Sequence, residues 1–308
     1  MAPPSQRAPP RGTARTRAMK IGLLALLANP FATPDFIRSL GEAAEERGVH
    51  SLWVAEHVVL FDDYASKYPY AEDGRLRSKG DAGPLEPFAA LSFLAAATTR
   101  LRLGTGICLV PQRNPVYTAK HVASVDWLSS GRVDFGIGVG WLAEEFDVLG
   151  VPFARRGARC RAYMEVIRRL WCDEVSEYRG EFYSLPPCRQ YPKPVQKPHP
   201  PIHVGGESDA ALKRVAAFGQ GWFGFNIMPE AVGERLGVLD RLLAARGRTR
   251  QEIAISVSPP VKTPIDLDLV RRFADAGAQQ VVGVLRAYDR DQVRTQLDTL
   301  ASNVITKL

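Results

Sequence analysis

The chain has 308 residues, 45% of them hydrophobic and 24% charged, which is ordinary soluble globular usage for one large α/β domain or two smaller ones. Its formal charge of +7 is gathered at one end: Arg7, Arg11, Arg15 and Arg17 stand in residues 1–18 without an acid, leaving +3 elsewhere, so the basic balance does not argue for nucleic acid. No apolar run approaches the roughly 18 residues of a membrane span. Cys108, Cys160, Cys172 and Cys188 form neither a C-x-x-C nor a zinc-like pairing, which points to a reducing, cytoplasmic setting.

Residues 1–18 (MAPPSQRAPPRGTARTRA) lack the apolar region of a secretory signal and anything to build a core with. They are expected to be a disordered tail, with Met19 an alternative start and 19–308 a single domain. Met19–Leu27 is an apolar run of strand length, and Thr33 or Asp35 opens a helix that stops at Gly48. His50–Ala55 is the next strand and runs straight into Glu56 and His57. A polar excursion over Phe61–Pro84 then precedes a helix at Glu86–Thr98; long loops of this kind are often lids or substrate-binding segments.

The chain is organised around Leu101 to Phe146. Strands at Leu101–Ile107 and Arg132–Val139 flank a helix at Pro115–Ser130. Glycines recur at alternate positions, Gly104 and Gly106, then Gly136, Gly138 and Gly140, so each set lies on one face of its strand. Two such faces leave room for a flat ligand against backbone. The other reading is small residues alternating with large ones inside a barrel.

Beyond it, a helix spans Arg156–Cys172, EVSEYRGEFYSL reads as a hairpin around Arg179-Gly180, and PPCRQYPKPVQKPHPP is a proline-dense insertion. His199 and His203 are separated by two prolines and cannot share a helix face, so no metal site is expected. Strands at Ile202–Gly206, Gly221–Phe225, Glu252–Ser258 and Gln280–Val284 then alternate with helices at Ser208–Phe218, Glu230–Ala245, Leu267–Ala276 and Asp291–Leu300. Eight strands and eight helices in alternation predict an α/β fold, a (β/α)8 TIM barrel with insertions. A dinucleotide-binding sheet would want G-x-G-x-x-G after the first strand, where Ala28-Asn29-Pro30 stands instead.

Function in such a barrel collects at the C-terminal strand ends. These carry Glu56-His57, Gly106-Ile107, Gly140-Trp141 with Glu144, Gly205-Gly206-Glu207-Ser208, and Trp222. The GGES turn opens a helix, so its N–H groups and the Ser208 hydroxyl suit an anion such as phosphate, or else Ser208 is an ordinary helix cap. A histidine at a strand end can pass a proton near neutral pH, or be one half of a structural pair with Glu56. Together these features favour a phosphorylated cofactor with a planar ring.

The segments SLWVAEHVV, RLRLGTGICLVPQRNPVYTAKHVASVDWLSSGRVDFGIGVGWLAEEFDVLGV, RRGARCRAYMEVIRRLW, GEFYSL and PPIHVGGESDAALKRVAAFGQGWF carry a resemblance that covers most of Met19–Trp222. The chain resembles the bacterial luciferase-like monooxygenase superfamily, and within it the actinobacterial type of coenzyme F420-dependent oxidoreductase. The resemblance implies a homodimeric barrel acting on a small-molecule substrate, with no nucleic acid and no membrane as partner. The cofactor would be F420, a deazaflavin, or alternatively FMN. It implies His57 as the catalytic residue beside the ring, and Gly106 and Ile107 as a bulge whose cis peptide backs that ring. Gly205 and Gly206 would form the phosphate turn. Glu56, Gly138, Gly140, Trp141 and Ser208 complete the expected cofactor contacts. Trp141 stands where sugar-phosphate-oxidising relatives carry a glutamate, and Gln220 replaces a common aspartate. Arg113, Arg155 and Arg156 are placed to meet an anionic tail. An FMN-dependent monooxygenase, or a non-catalytic binder of the same barrel, would share the glycine faces and the phosphate turn.

Overall fold

The computed structural model describes residues 19–76 and 82–308, so the tail expected at 1–18 and residues 77–81 of the long excursion lie outside the described residues. In chain order the strands are β1 (Lys20–Ala25), β2 (Ser51–Val54), β3 (Arg102–Thr105), β4 (Cys108–Leu109), β5 (Val133–Gly138), β6 (Ser176–Arg179) and β7 (Ser184–Cys188). They continue with β8 (Ile202–Gly205), β9 (Gly221–Phe225), β10 (Ala254–Ser258) and β11 (Gln280–Leu285). The helices are α1 (Pro34–Glu46), α2 (Pro87–Ala97), α3 (Pro115–Leu128), α4 (Ala143–Val148) and α5 (Arg156–Cys172). After these come α6 (Asp209–Phe218), α7 (Pro229–Ala244), α8 (Leu267–Asp275) and α9 (Arg290–Asn303).

Strands β1, β2, β3, β5, β8, β9, β10 and β11 pair in parallel in that order, and β11 returns to β1, closing the predicted eight-stranded barrel. The predicted hairpin is β6–β7, antiparallel and outside the barrel. Helix starts follow local chemistry. Thr33, Asn114 and Asp266 each accept a first-turn N–H bond at the heads of α1, α3 and α8, and proline follows directly in the first two. The short α4 was not expected.

The third strand, expected to run through Ile107, breaks after Thr105, at the bulge that the resemblance implied. The Gly106–Ile107 peptide is cis and not prolyl. The chain then re-pairs as β4 against Ile137 and Gly138 of β5.

Apolar side chains between the barrel and its helices form the main core. The barrel interior is filled as well, in layers. At the N-terminal end Asp134 accepts two bonds from Arg102, at 2.7 and 2.6 Å, and lies 3.4 Å from His203 Nε2. Above it, Trp53 Nε1 donates to Ser51 Oγ at 2.8 Å, and Gln280 bonds Ser51 and Ser256. The Trp53 ring then packs with Leu24, Phe223 and Val282.

This packing corrects the bare wall expected from the alternating glycines. A Cβ on Gly104 would run into the Trp53 ring, and one on Gly136 would overlap the Thr105 carbonyl oxygen. The flat group lying against these glycines is Trp53 itself. Here small residues face large ones inside a packed barrel.

Candidate active site at the barrel mouth

Two features shape the mouth: the break in the third strand, and the long connection from β2 to α2. That connection is tied down at several points. Glu144 accepts N–H bonds from Ala65 and Ser66 at 2.6 and 3.1 Å, and Glu145 accepts one from Val58 at 2.7 Å. Tyr70 donates to Glu207 at 3.2 Å, and Arg113 pairs with Glu86 at the head of α2. Its aromatic residues line up edge to face across the mouth: Trp141 touches Tyr64, Tyr68 and His57, Tyr68 touches Tyr70, and Tyr70 touches Phe225.

His57 stands at the centre of this belt with its side chain 17% exposed, 5.9 Å ring to ring from Trp141. Its Nδ1 is 3.3 Å from Glu145 Oε2, and Glu145 is fully buried. The same oxygen accepts from Gln112 Nε2 at 2.9 Å. Burial resists charge on Glu145, yet the bonds from His57, Gln112 and Val58 outweigh it and hold the carboxyl below its ordinary range. Glu207 goes the other way: burial raises its carboxyl against the opposing bonds from Phe225 N–H and Tyr70. Among the described residues none bonds His57 Nε2.

The remaining predicted residues divide into rim and support. Gly106, Ile107, Gly140, Trp141 and Gly206 are partly exposed at the rim. Gly138 and Gly205 are buried beneath the Ile107 side chain, which a Cβ on either would crowd. They therefore seat Ile107, and any ring resting there meets the Ile107 side chain first. Glu56 turns behind the wall: its carboxylate, 5% exposed as a residue, accepts from Leu109 N–H at 2.6 Å and pairs with Arg113. That placement corrects Glu56 as a cofactor contact and removes Arg113 from the candidate tail-binding cations. The charge of Arg113 is spent on Glu56 and Glu86.

Ser208 is exposed and caps α6, its Oγ accepting from Ala211 N–H at 3.2 Å. The Gly206 N–H is used by the Phe223 carbonyl, so donors for an anion come from the first turn of α6 rather than from Gly206. Trp222, expected on the rim, is fully buried and braces the turn by donating to the Gly206 carbonyl at 2.9 Å. Arg155 pairs with Glu181 at the surface, and Arg156 donates to the Gly140 carbonyl at 3.0 Å.

Glu145, Gln112, Tyr64, Tyr68 and Tyr70 escaped the sequence reading, which named Glu144 instead of its neighbour. A signal for Glu145 was present. Leu142, Glu145 and Phe146 fall at i, i+3 and i+4, and all three are buried, the first as the N-cap of α4 and the others within it. The tyrosines lay in a segment without periodicity, where no rule assigns a side chain to a face. Among the described residues no cluster of histidine, cysteine, aspartate or glutamate is arranged to hold a metal, and no helix is long and apolar enough to cross a membrane.

Known proteins agree with this architecture. An uncharacterized protein of Mycobacterium tuberculosis is 36% identical over 287 residues, spanning 89% of this chain and 96% of that protein. The fold matches a coenzyme F420-dependent tetrahydromethanopterin reductase from Methanopyrus kandleri with TM-score 0.73 at 17% identity, covering 94% of this chain and 99% of that one. It also matches the oxygenating constituent of 3,6-diketocamphane monooxygenase of Pseudomonas putida, in complex with FMN, with TM-score 0.71 at 15% identity and coverage of 94% and 99%. The family model described as luciferase-like monooxygenase matches residues 9–301, nearly the whole sequence. This chain belongs to the luciferase-like monooxygenase family.

Proposed function

We propose that the chain is an F420-dependent oxidoreductase that moves a hydride between the deazaflavin and a small organic substrate at the barrel mouth. The observation that carries this reading is His57: partly exposed, anchored through Nδ1 by a buried carboxylate, and flanked by Trp141. The surroundings suit a flat ring with an anionic tail. Ile107 and the cis Gly106–Ile107 peptide offer an apolar, partly exposed backbone step, and the first turn of α6 offers N–H donors. Arg156 lies beside the rim through its bond to Gly140.

F420, when bound, supplies a hydride acceptor or donor at its C5 position. The chain's own work is to hold substrate and ring together under the aromatic belt, keep water away, and let His57 Nε2 take or give the accompanying proton. The reading includes a homodimer, for which Tyr117, Trp127 and Leu128 on α3 are exposed apolar side chains.

The second reading is an FMN-dependent monooxygenase, supported by the family description and by the FMN held in the Pseudomonas putida protein. Titrating the protein with F420 and with FMN, then following single-turnover hydride transfer, separates the two. The proposal expects turnover with F420. It also expects His57→Ala to slow the chemical step about 10²–10⁴-fold while cofactor affinity changes little. Oxygen uptake driven by reduced FMN, with no reaction of reduced F420, would move the chain to the second reading.

A further inference from the structure

We infer that Glu145 is the positioning residue of the site: its carboxylate takes the His57 Nδ1 proton in a hydrogen bond and thereby makes Nε2 the working nitrogen. The inference rests on the proposed function for the role of the proton, though not for the geometry.

Three observations converge on it. The carboxylate is fully buried and lies 3.3 Å from Nδ1. Its orientation is fixed by three donors outside α4: Val58 and Val59 N–H at 2.7 and 3.4 Å to Oε1, and Gln112 Nε2 at 2.9 Å to Oε2. With the amide NH2 of Gln112 donating to Oε2, that oxygen is an acceptor and the facing Nδ1 is the protonated one. Free imidazole has no such constraint.

The other charged groups nearby are engaged elsewhere. Glu56 is held by Leu109 N–H and Arg113, and Glu144 by Ala65 and Ser66 N–H. Trp141 meets the ring without a charge. Glu145 is therefore the anion that faces His57, and the direction of its shift, toward the ionised form, agrees.

In the oxidising direction, the substrate's O–H proton passes to Nε2 as the carbon gives up its hydride to the cofactor. The resulting imidazolium, protonated on both nitrogens, is neutralised by the ionised Glu145. In the reducing direction the proton returns from Nε2. Glu145 touches neither substrate nor cofactor and acts through His57, as the orienting carboxylate does in hydrolase triads.

The test is the tautomer of His57, read by long-range 1H–15N NMR on the full chain without cofactor, at a pH where the ring is neutral. The wild type is expected in the Nδ1–H form; an Nε2–H form there overturns the inference whatever any variant does. In Glu145→Gln the carbonyl oxygen can still accept from Val58, but an NH2 replaces the oxygen that faced Nδ1. The tautomer is then expected to switch to Nε2–H, and kcat to fall about 10²-fold with substrate KM and cofactor affinity within about threefold. A variant that melts with the wild type and keeps the Nδ1–H form would also overturn it. Failure of F420 or FMN to support turnover bears on the proposed function alone, because the tautomer is read without either.

Discussion

Two histidine–carboxylate pairs sit at opposite levels of the barrel, and their likeness makes their difference instructive. His57 Nδ1 is 3.3 Å from Glu145, and His203 Nε2 is 3.4 Å from Asp134. Asp134, however, is already neutralised by a two-bond contact with Arg102, and the bonds from His203 and Arg102 together hold its carboxyl far below the ordinary range despite burial. The other nitrogen of His203 is buried against Gly221, where no ligand reaches it. Among the described residues Glu145 has no second cation, and none bonds the other nitrogen of His57, whose side chain is 17% exposed. The same pair is scaffold in one place and, on the proposed function, chemistry in the other. What separates them is the surplus charge on the carboxylate and the exposure of the second nitrogen.

That contrast predicts separate losses. The largest is Asp134→Asn, which leaves Arg102, its side chain 25% exposed, without its counter-charge. It should cost about 3–5 kcal/mol of unfolding free energy, measured by urea denaturation. His57→Ala should leave the urea midpoint nearly unchanged, so equal losses in the two variants would erase the distinction.

Next comes Gly221→Ala, whose Cβ would press into the His203 ring. An overpacking cost of about 1–3 kcal/mol is expected in thermal melts, with hydride transfer per folded molecule intact. A large rate loss at unchanged stability would mean that the lower pair communicates with the mouth.

The smallest effect concerns acid. Glu45 accepts N–H bonds from Thr99, Arg100 and Leu101 at 2.9, 2.6 and 2.8 Å. Burial works against its charge, but these bonds prevail and hold its carboxyl at about 2, against an ordinary 4.5. A depressed carboxyl stabilises the fold above the unfolded value and loses that contribution as pH falls through the folded one. Stability should therefore decline between about pH 4.5 and pH 2 in the wild type. Glu45→Gln, roughly 1 kcal/mol less stable at neutral pH, should flatten that limb. A limb of unchanged steepness in the variant would assign the acid sensitivity to other carboxylates.

The barrel was legible because strand and helix periods alternate along the whole described chain, and a shift of either period would have put polar residues into the core. The alternating glycines marked the right two strands and the right face. Their meaning depended on Trp53, a ring from a neighbouring strand that no local pattern links to Gly104 or Gly136. His57 was legible as a strand-end residue. Its partner was not, because Glu145 reaches it across 88 residues of sequence. Glu56 was named as a cofactor contact, yet the alternation of side chains along an extended chain already turns it away from His57 and towards a neighbour. It went behind the wall, to Leu109 and Arg113.

Glu144 and Glu145 hold the long connection chiefly by the backbone N–H groups of Val58, Val59, Ala65 and Ser66. A backbone N–H is the same in every residue except proline. The clasp is therefore blind to the identity of what it clasps. Tyr68 can be rewritten in a library or a lineage while the segment keeps its course over the barrel, provided Tyr64 and Tyr70 keep their bonds to Leu76 and Glu207 and proline stays away from positions 58, 59, 65 and 66. Two adjacent glutamates on one short helix thus let the substrate-facing surface diversify without renegotiating the fold that carries it.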